Sequence, residues 1–352
     1  MALTDIKSMT LIQLKDEFTA LGLPAFRARQ VFAWLHQKSA ESFEEMTDLS
    51  KDLRAVLQEK YYISVAKLEK KFVSDYDETI KYLFRFSDGE CVEAVLMKYH
   101  HGYSICISTQ VGCKMGCTFC ATGMGGFFRN LTASEMLSEI QTAQKDQNIR
   151  ISNIVLMGMG EPLDNYGNVL RFLQLVSSPE GLNIGMRHIS LSTCGLVDRI
   201  YDLAAQRLQL TLSVSLHAPN DQIRGKTMPV NRKWGVDELL RACRFYAQET
   251  GRRISFEYAM IDGVNDMDDC AYELARKLKG MLCHVNLIPV NSVSGSRYQK
   301  SGGARLRRFC EILEHHGITA TIRRTLGADI NASCGQLRRS HLKEGGTAVE
   351  NC

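Results

Sequence analysis

The spacing of apolar residues separates a helical N-terminal stretch from a longer stretch in which strands and helices alternate. Between Thr10, a residue type that caps helices, and Gly22, a type that ends them, apolar side chains recur at helical spacing. Further apolar stripes predict helices over Ala25–Lys38 and Leu49–Tyr61. The start of the chain is therefore predicted to form a small helical module.

The period of the apolar pattern falls to two in the next part of the chain. Thr79–Phe86 and Cys91–Met97 predict two strands, and the Asp88-Gly89 pair between them favours a hairpin turn. Tyr103–Thr109 predicts a third strand. The later predicted strands are Asn153–Met157, His188–Ser192, Leu210–Leu216, Arg253–Met260, His284–Ile288 and Thr319–Arg323. The helices predicted between them are Thr132–Lys145, Asn168–Ser177, Val236–Thr250, Met267–Leu278 and Ala304–His316.

This alternation indicates an α/β fold with a parallel sheet flanked by helices. About six strand–helix units follow residue 103, fewer than a closed eight-stranded barrel has, so we predict a partial, open parallel β/α barrel. The predicted domains are residues 1–98, a helical accessory domain with a linking β-hairpin, and residues 99–352, a core with a basic C-terminal segment. Reactive groups in such folds lie at the C-terminal ends of the strands.

The composition is that of an ordinary globular protein. The chain has 352 residues, of which 45% are hydrophobic and 23% charged, and this excludes disordered and fibrous classes. No apolar run reaches the roughly 18 residues that cross a bilayer, and the segment after Met1 lacks the pattern of a signal peptide. Because the 12 cysteines are scattered along a chain without an export signal, we expect a reducing, cytoplasmic location.

The distribution of charge says more than the net charge of +4. Arg27 and Arg29 lie near the start, and a larger group of cations lies towards the end of the chain. This group is Arg305, Arg307, Arg308, Arg323, Arg324, Arg338, Arg339 and Lys343. Two interpretations remain open: an ordinary solvated face, or a footprint for the phosphates of a nucleic acid. The helical module is correspondingly either a packing domain or an RNA-contacting appendage.

The chemistry-bearing stretch is the loop that follows the third predicted strand. It contains Cys113, Cys117 and Cys120 at the spacing C-x3-C-x2-C. Thiolates select zinc or iron–sulfur centres over hard cations. Structural zinc sites come as paired knuckles that close a tetrahedron, whereas iron–sulfur loops place several cysteines in one short run. A structural metal knuckle with a remote fourth ligand and a four-iron cluster with one open iron are both compatible with the spacing.

Six sequence blocks in order carry a resemblance to a known family. They are Ser108–Cys113, Ala121–Gly123, Phe128–Thr132, Met157–Pro162, Ser215–Ala218 and Ala332–Leu337. Together with the cysteine loop they resemble the RlmN/Cfr family of radical S-adenosylmethionine (SAM) RNA adenine methyltransferases. One departure is Asn331, where the family more often has aspartate, and it leaves the role of that position open.

The resemblance implies a cofactor and two further cysteines with chemical roles. Three thiolates would hold a [4Fe–4S] cluster: Cys113, Cys117 and Cys120. Two molecules of SAM would be used per turnover, one of them to methylate Cys334. Cys106 would help to release the product by forming a disulfide with Cys334, and Glu93 matches the family's proposed proton acceptor. Whether Glu93 or Cys106 takes the proton stays open.

The resemblance also implies a SAM site and a set of partners. The residues that match the family's SAM contacts are Gly160, Glu161, Ser192, Ser215, Leu216, His217 and Asn291. The expected partners are RNA, namely 23S ribosomal RNA and also transfer RNA, and an electron donor such as flavodoxin or ferredoxin. We expect a monomer with no membrane partner.

The expected reaction is methylation of C2 of adenine, as in the RlmN branch. This carbon is electron-poor, so polar transfer of a methyl cation is unfavourable there, and a radical route supplied by the cofactor avoids the difficulty. Two alternatives are a Cfr-type methyltransferase, which acts at C8 and confers antibiotic resistance, and a non-catalytic metal-containing RNA-binding protein. Arg323–Gly327 and Pro24–Arg27 look more like the RlmN branch.

Overall fold

The computed structural model describes residues 3–291 and 298–332. The strands are β1 (Thr4–Asp5), β2 (Tyr61–Tyr62), β3 (Lys67–Val73), β4 (Ile80–Arg85), β5 (Cys91–Tyr99), β6 (Gly102–Cys106), β7 (Gln110–Gly112), β8 (Phe127–Asn130), β9 (Ile151–Leu156), β10 (Ile189–Thr193), β11 (Thr211–Ser215), β12 (Ile254–Met260), β13 (Cys283–Pro289) and β14 (Ala320–Ile322). The α-helices are α1 (Leu11–Ala20), α2 (Ala25–His36), α3 (Lys51–Lys60), α4 (Ala121–Met124), α5 (Ala133–Gln147), α6 (Tyr166–Val176), α7 (Val197–Ala205), α8 (Asp221–Thr227), α9 (Val236–Thr250), α10 (Asp268–Leu278) and α11 (Gly303–His315).

One large sheet organises the described part of the chain. Its strand order is β14-β13-β12-β11-β10-β9-β6-β5-β4-β3. The pairs from β6 to β14 are parallel, and those from β3 to β6 are antiparallel. Among the described strands β3 and β14 form open edges, so the sheet does not close. The predicted α/β class and the partial barrel are confirmed.

The N-terminal module contains the three predicted helices and one small addition. Thr10 caps α1 in a capping box with Gln13, as its residue type indicated. The sequence analysis missed a short parallel pairing of β1 with β2, so the module is not purely helical. Lys7 ties the module to the core, because its Nζ donates to Ser138 Oγ on α5 at 2.8 Å.

The predicted hairpin is part of a larger antiparallel unit. β4 and β5 are the two expected strands, and β3 pairs with β4 as a further strand that the sequence analysis missed. All three belong to the same sheet as the parallel strands. The division of the chain after residue 98 stays a prediction. In the described ranges, no helix is both long and apolar enough to cross a membrane.

The two faces of the sheet differ in polarity. In β10 the residues Ile189 and Leu191 are buried, whereas the intervening Ser190 and Ser192 are only half-buried. Because alternate residues of a strand point to opposite faces, the apolar face packs against the helices and the polar face lines the inside of the partial barrel. In β10 this inner face is therefore polar and partly accessible.

Candidate active site

The cysteine loop connects the two strands of a short antiparallel hairpin, β7 and β8, which follows β6 in the chain. β7 leads into the loop and β8 leads out of it, and the amide of Cys113 donates to the carbonyl oxygen of Gly126 at 2.9 Å. Gly112 needs to be glycine, since its φ is +77° and a Cβ there would lie 2.0 Å from the Gly126 oxygen. The amide of Thr118 donates to the carbonyl of Thr227 at 2.9 Å. The loop is thus fixed at both its base and its tip.

The three loop thiols are half-buried and lie near enough to one another to interact electrostatically. Burial raises the pKa of Cys113 and of Cys117 to about 12, and repulsion between the thiolates of the loop adds to the rise. Metal binding offsets this penalty, because a cysteine binds a metal as the thiolate and releases its proton to solvent.

The spacing of the thiols bears on which metal centre they suit. Within the described ranges, no three cysteine, histidine or carboxylate side chains converge closely enough to hold a single ion. An iron–sulfur cluster holds its cysteine ligands farther apart than a single zinc ion does. The half-buried soft donors of this loop therefore fit the cluster better than a zinc knuckle.

Gln110 connects the hairpin to the Gly160-Glu161 turn after β9. Its Oε1 accepts the amide of Glu161 at 2.8 Å, and its Nε2 donates to Asn130 Oδ1 and Asp164 Oδ2, both at 2.8 Å. Gly160 has φ +103°, and a Cβ there would lie 2.6 Å from Gln110 Cβ. The glycine permits this close approach of two chain segments, and it places Glu161 beside the cysteine loop.

Glu161 is buried beside the thiols, as its electrostatic effect on Cys113 and Cys117 shows. Its Oε2 accepts the amide of Cys194 at 2.7 Å, and its Oε1 accepts the amide of Leu163 at 3.0 Å. Burial raises the pKa of Glu161, and these amides oppose the rise. The carboxylate therefore serves first to join the ends of β9 and β10.

Ser215, Leu216 and His217 lie at the end of β11, and a buried arginine holds this end in place. Arg224 donates to the carbonyl oxygens of Leu216 at 3.1 Å, Ser215 at 3.2 Å and Cys194 at 2.6 Å. Its guanidinium is fully buried, so these carbonyls replace the water that a cation requires. Sequence analysis missed Arg224, because its partners are backbone carbonyls and the side chain of Asn231, none of which forms a recognisable motif.

His217 has a neutral imidazole in the described geometry. Burial lowers the pKa of His217 to about 3, and the charge of Arg224 lowers it further. Its Nδ1 accepts the amide of Ala259 at 2.8 Å, which assigns any ring proton to Nε2. The ring lies edge-on to Phe119, with centroids 4.9 Å apart. His217 therefore contacts the cysteine loop directly.

Polar side chains continue along the inner face from β10 to β13. Ser192 on β10 pairs opposite Ser213, which pairs in turn opposite Ser255 on β12. Beyond them, Glu257 accepts from Asn286 at 2.8 Å and from Ser255 at 2.8 Å. Glu257 and Asn286 were missed, although the alternation of polar and apolar residues in both strands was a signal for them.

The remaining candidates differ in how much the structure says about them. Asn291 is exposed, just beyond the end of β13. Cys334 lies outside the described residues. Cys106 and Glu93 are well placed: Cys106 ends β6 opposite Val95, and Glu93 lies two residues from Val95 on β5. Paired residues share a face, as do residues two apart, so Cys106 and Glu93 are diagonal neighbours on the inner face.

Comparisons with known proteins agree with this site. The Radical SAM superfamily matches residues 107–278, and the Ribosomal RNA large subunit methyltransferase N-terminal domain matches residues 4–63. A crystal structure of a radical SAM methyltransferase from Sphaerobacter thermophilus superposes with a TM-score of 0.89 and 45% identity over 95% of this chain and 98% of that chain. The open barrel and its cysteine loop are those of a radical SAM enzyme.

Curated relatives narrow this class to a family. A probable dual-specificity RNA methyltransferase RlmN from Alkaliphilus oremlandii is 54% identical over 96% of this chain and 98% of its own length. One of the same name from Lachnoclostridium phytofermentans is 52% identical over 96% of this chain and 95% of its own. The chain belongs to the RlmN family. Its cofactors are accordingly a [4Fe–4S] cluster and SAM, as expected from the sequence.

Proposed function

We propose that this protein is a SAM-dependent RNA methyltransferase that methylates C2 of adenine in 23S ribosomal RNA and in transfer RNA. The observation that carries the proposal is the placement of Cys106 and Glu93 as neighbours on the inner face, at the strand that leads into the cysteine loop. The names of the relatives, dual-specificity RNA methyltransferases of the RlmN type, support the substrate class. They do not favour the Cfr-type alternative.

The cofactors define what the protein residues must do. When bound, the cluster on Cys113, Cys117 and Cys120 supplies the electron that cleaves SAM to a 5′-deoxyadenosyl radical. The proposed SAM contacts line the inner face and its rim: Gly160, Glu161, Ser192, Ser215, Leu216, His217 and Asn291. Gly160 is half-buried and has no side chain to block approach to its backbone, and Ser192 offers a half-buried hydroxyl. These residues bind and orient SAM next to the cysteine loop.

Two cysteines carry the methyl group and release the product in this proposal. The Cys334 thiolate attacks the methyl group of SAM, forming a thioether and leaving S-adenosylhomocysteine. After the thioether loses one hydrogen atom to the 5′-deoxyadenosyl radical, its carbon radical adds to C2 of adenine, which links protein and RNA covalently. The C2 proton then leaves to a base, Glu93 or Cys106. Cys106 would attack the Cys334 sulfur, so that a disulfide forms as the carbon–sulfur bond breaks. The transferred carbon would take up a proton to complete the methyl group, and the one electron left over would be available to reduce the cluster again.

Two cysteine variants test these roles. Cys334→Ala is expected to abolish methylated product, since no thiolate remains to accept the methyl group. Cys106→Ala is expected to accumulate an RNA–protein adduct, because the thioether is formed but not resolved. The assay uses anaerobically reconstituted protein with SAM, a reductant and RNA, followed by denaturing electrophoresis and nucleoside mass spectrometry.

Cys310→Ala is the matched control, since Cys310 is a half-buried cysteine on α11 outside the proposed site. It is expected to give product without an adduct. Product from Cys334→Ala would contradict the role of Cys334, whereas absence of product from the reconstituted wild type would favour a non-catalytic RNA-binding protein. Absence of an adduct from an active reconstitution of Cys106→Ala would contradict the role of Cys106.

A further inference from the structure

Lys81 is a buried cation that neither the cluster nor the SAM site uses. Its side chain on β4 is 1% exposed, and its Nζ lies 3.5 Å from Glu93 Oε1. The same Nζ donates to the carbonyl oxygen of Asn331 at 2.6 Å, across 250 positions of the chain. Burying an ammonium costs several kcal/mol unless such partners compensate it. One lysine thus joins a proposed catalytic carboxylate to the chain just before Cys334.

Residues 327–332, here called the docked segment, are also held by the turn between β3 and β4. The amide of Gly327 donates to Asp77 Oδ2 at 2.8 Å. Asp329 accepts from Ser74 Oγ at 2.7 Å through Oδ1 and from the amide of Asp75 at 2.9 Å through Oδ2. Together with Lys81, these contacts fix the docked segment at three points. The antiparallel strands therefore act as a platform for it.

The contact with Lys81 is compatible with either asparagine or aspartate at position 331. Asn331 has φ +48°, a left-handed conformation that asparagine and aspartate tolerate better than other residues with a side chain. Lys81 binds the main-chain carbonyl of Asn331, not its side chain. A change between aspartate and asparagine therefore leaves this contact in place.

The register of the sheet sets Lys81 in line with Cys106. Lys81 pairs opposite Val95, and Val95 pairs opposite Cys106, so the three residues form one row on the inner face. Glu93 lies in the adjacent row, within reach of the Lys81 ammonium. The docked segment is consequently tied to the same patch of sheet that carries Cys106 and Glu93.

We propose that Lys81 is a positioning residue that holds residues 327–332 against the antiparallel strands that carry Glu93. Its ammonium donates to the main-chain carbonyl of Asn331, three residues before Cys334 in the sequence, and lies beside the carboxylate of Glu93. The inference rests on the proposed function for the roles of Cys334, Cys106 and Glu93. It adds that the antiparallel strands, outside the SAM site, hold the part of the chain that leads to the methyl-carrying cysteine.

Thiol pairing tests this inference without cofactor or activity. Cluster-free protein is treated with diamide, which takes the two hydrogens of the thiols, and a non-reduced digest is analysed for the peptide that links Cys106 to Cys334. The wild type is expected to form this link. Lys81→Met is expected to lower its yield by about tenfold, because disulfide formation follows the effective concentration of the two sulfurs.

Two further variants separate positioning from folding. Lys81→Met alone leaves Glu93 buried without its ammonium and can destabilise the fold, so Lys81→Met/Glu93→Gln removes both charges together. Folding is checked by circular dichroism and thermal unfolding. The control is Lys98→Met on β5, which breaks an exposed ion pair with Glu78. This variant is expected to leave the Cys106–Cys334 link unchanged.

The outcomes distinguish the two proposals. If the folded double variant forms the link as fast as the wild type, Lys81 does not position Cys334, and the roles of the cysteines stand. If the wild type forms no such link while its other cysteines do react, the roles proposed for Cys106 and Cys334 are contradicted, and the positioning role falls with them. A loss of the link in Lys98→Met as well would also contradict a specific role for Lys81.

Discussion

Gly160 is the position at which the absence of a side chain matters most for the geometry of the site. Its φ of +103° and its distance from Gln110 leave no room for a Cβ, which would lie 2.8 Å from the Gln110 amide nitrogen. Glu161 follows immediately, and its amide binds the Gln110 side chain. The position of Glu161 beside the cysteine loop therefore depends on the absence of a side chain at 160.

Gly160→Ala is expected to destabilise the protein by about 1–3 kcal/mol through overpacking, with backbone strain added to this loss. The control is Gly167→Ala in α6, where a Cβ meets nothing within 4 Å. Alanine there is expected to stabilise the helix by about 0.5–1 kcal/mol. Urea unfolding of both variants provides the measurement. Equal stability of Gly160→Ala and the wild type would contradict the close approach described for this turn.

Sequence reasoning worked at residues whose chemistry is local. The cysteine loop was singled out from its spacing and Gly160-Glu161 from the family resemblance, and the structure places the two near each other. The roles assigned to them stay predictions. Sequence reasoning failed at Lys81 and Arg224. Each looks like an ordinary surface cation in its own segment, and their partners are backbone carbonyls or residues far away in the chain. Burial of a charge becomes visible only when the strands are assembled.

At the scale of elements, α2 contains a buried histidine whose unpartnered ring nitrogens reduce the free energy of unfolding. His36 is fully buried, and neither ring nitrogen has a hydrogen-bond partner among the described residues. Burial lowers the pKa of His36 from 6.5 to about 3, with a further contribution from the charge of Lys7. The unfolded chain therefore takes up this proton before the folded protein does. Folding stability is lost as the pH falls below about 6.5 towards 3.

His36→Leu is expected to stabilise the protein by about 1–3 kcal/mol at pH 7.5, because it removes buried polar atoms that lack partners. At lower pH the advantage is expected to grow by about 1.4 kcal/mol per pH unit below the ordinary histidine pKa. Lys7 is present in the variant and in the wild type, so its own contribution to the pH dependence of stability largely cancels in the comparison. Urea unfolding at pH 7.5 and pH 5 measures the difference, with His100→Leu at an exposed turn as control. An advantage that does not change with pH would contradict a neutral His36.

The elements that sequence analysis missed share physical reasons. β3 is an edge strand rich in lysine, with a register shift between Leu68 and Lys70, so it shows no clean alternation. β7 and β8 are too short for a period to appear, since the cysteine loop divides them. In contrast, α9 begins and ends where its apolar stripe predicted, at Val236 and Thr250. Periodicity failed for these edge and loop elements. The sequence analysis also missed α7, although Val197, Ile200 and Leu203 of that helix are buried at helical spacing.

At the scale of the whole molecule, the open sheet brings three parts of the chain to one interior. The parallel strands present polar side chains to the inner face, the hairpin of β7 and β8 presents the cysteine loop, and the antiparallel strands hold the docked segment. The class of this fold was predictable from the count of strand–helix units. The docking of residues 327–332 was not, because it joins segments some 250 positions apart.

Isotope transfer from labelled SAM to RNA tests the central claim most directly. Reconstituted protein is supplied with SAM that carries a fully deuterated methyl group, and the nucleosides of the RNA are analysed by mass spectrometry. The account predicts 2-methyladenosine whose methyl group keeps two of the three deuteriums, because the thioether on Cys334 loses one hydrogen atom before it adds to C2. Detection of 8-methyladenosine in its place, or of a methyl group with all three deuteriums, would contradict the account.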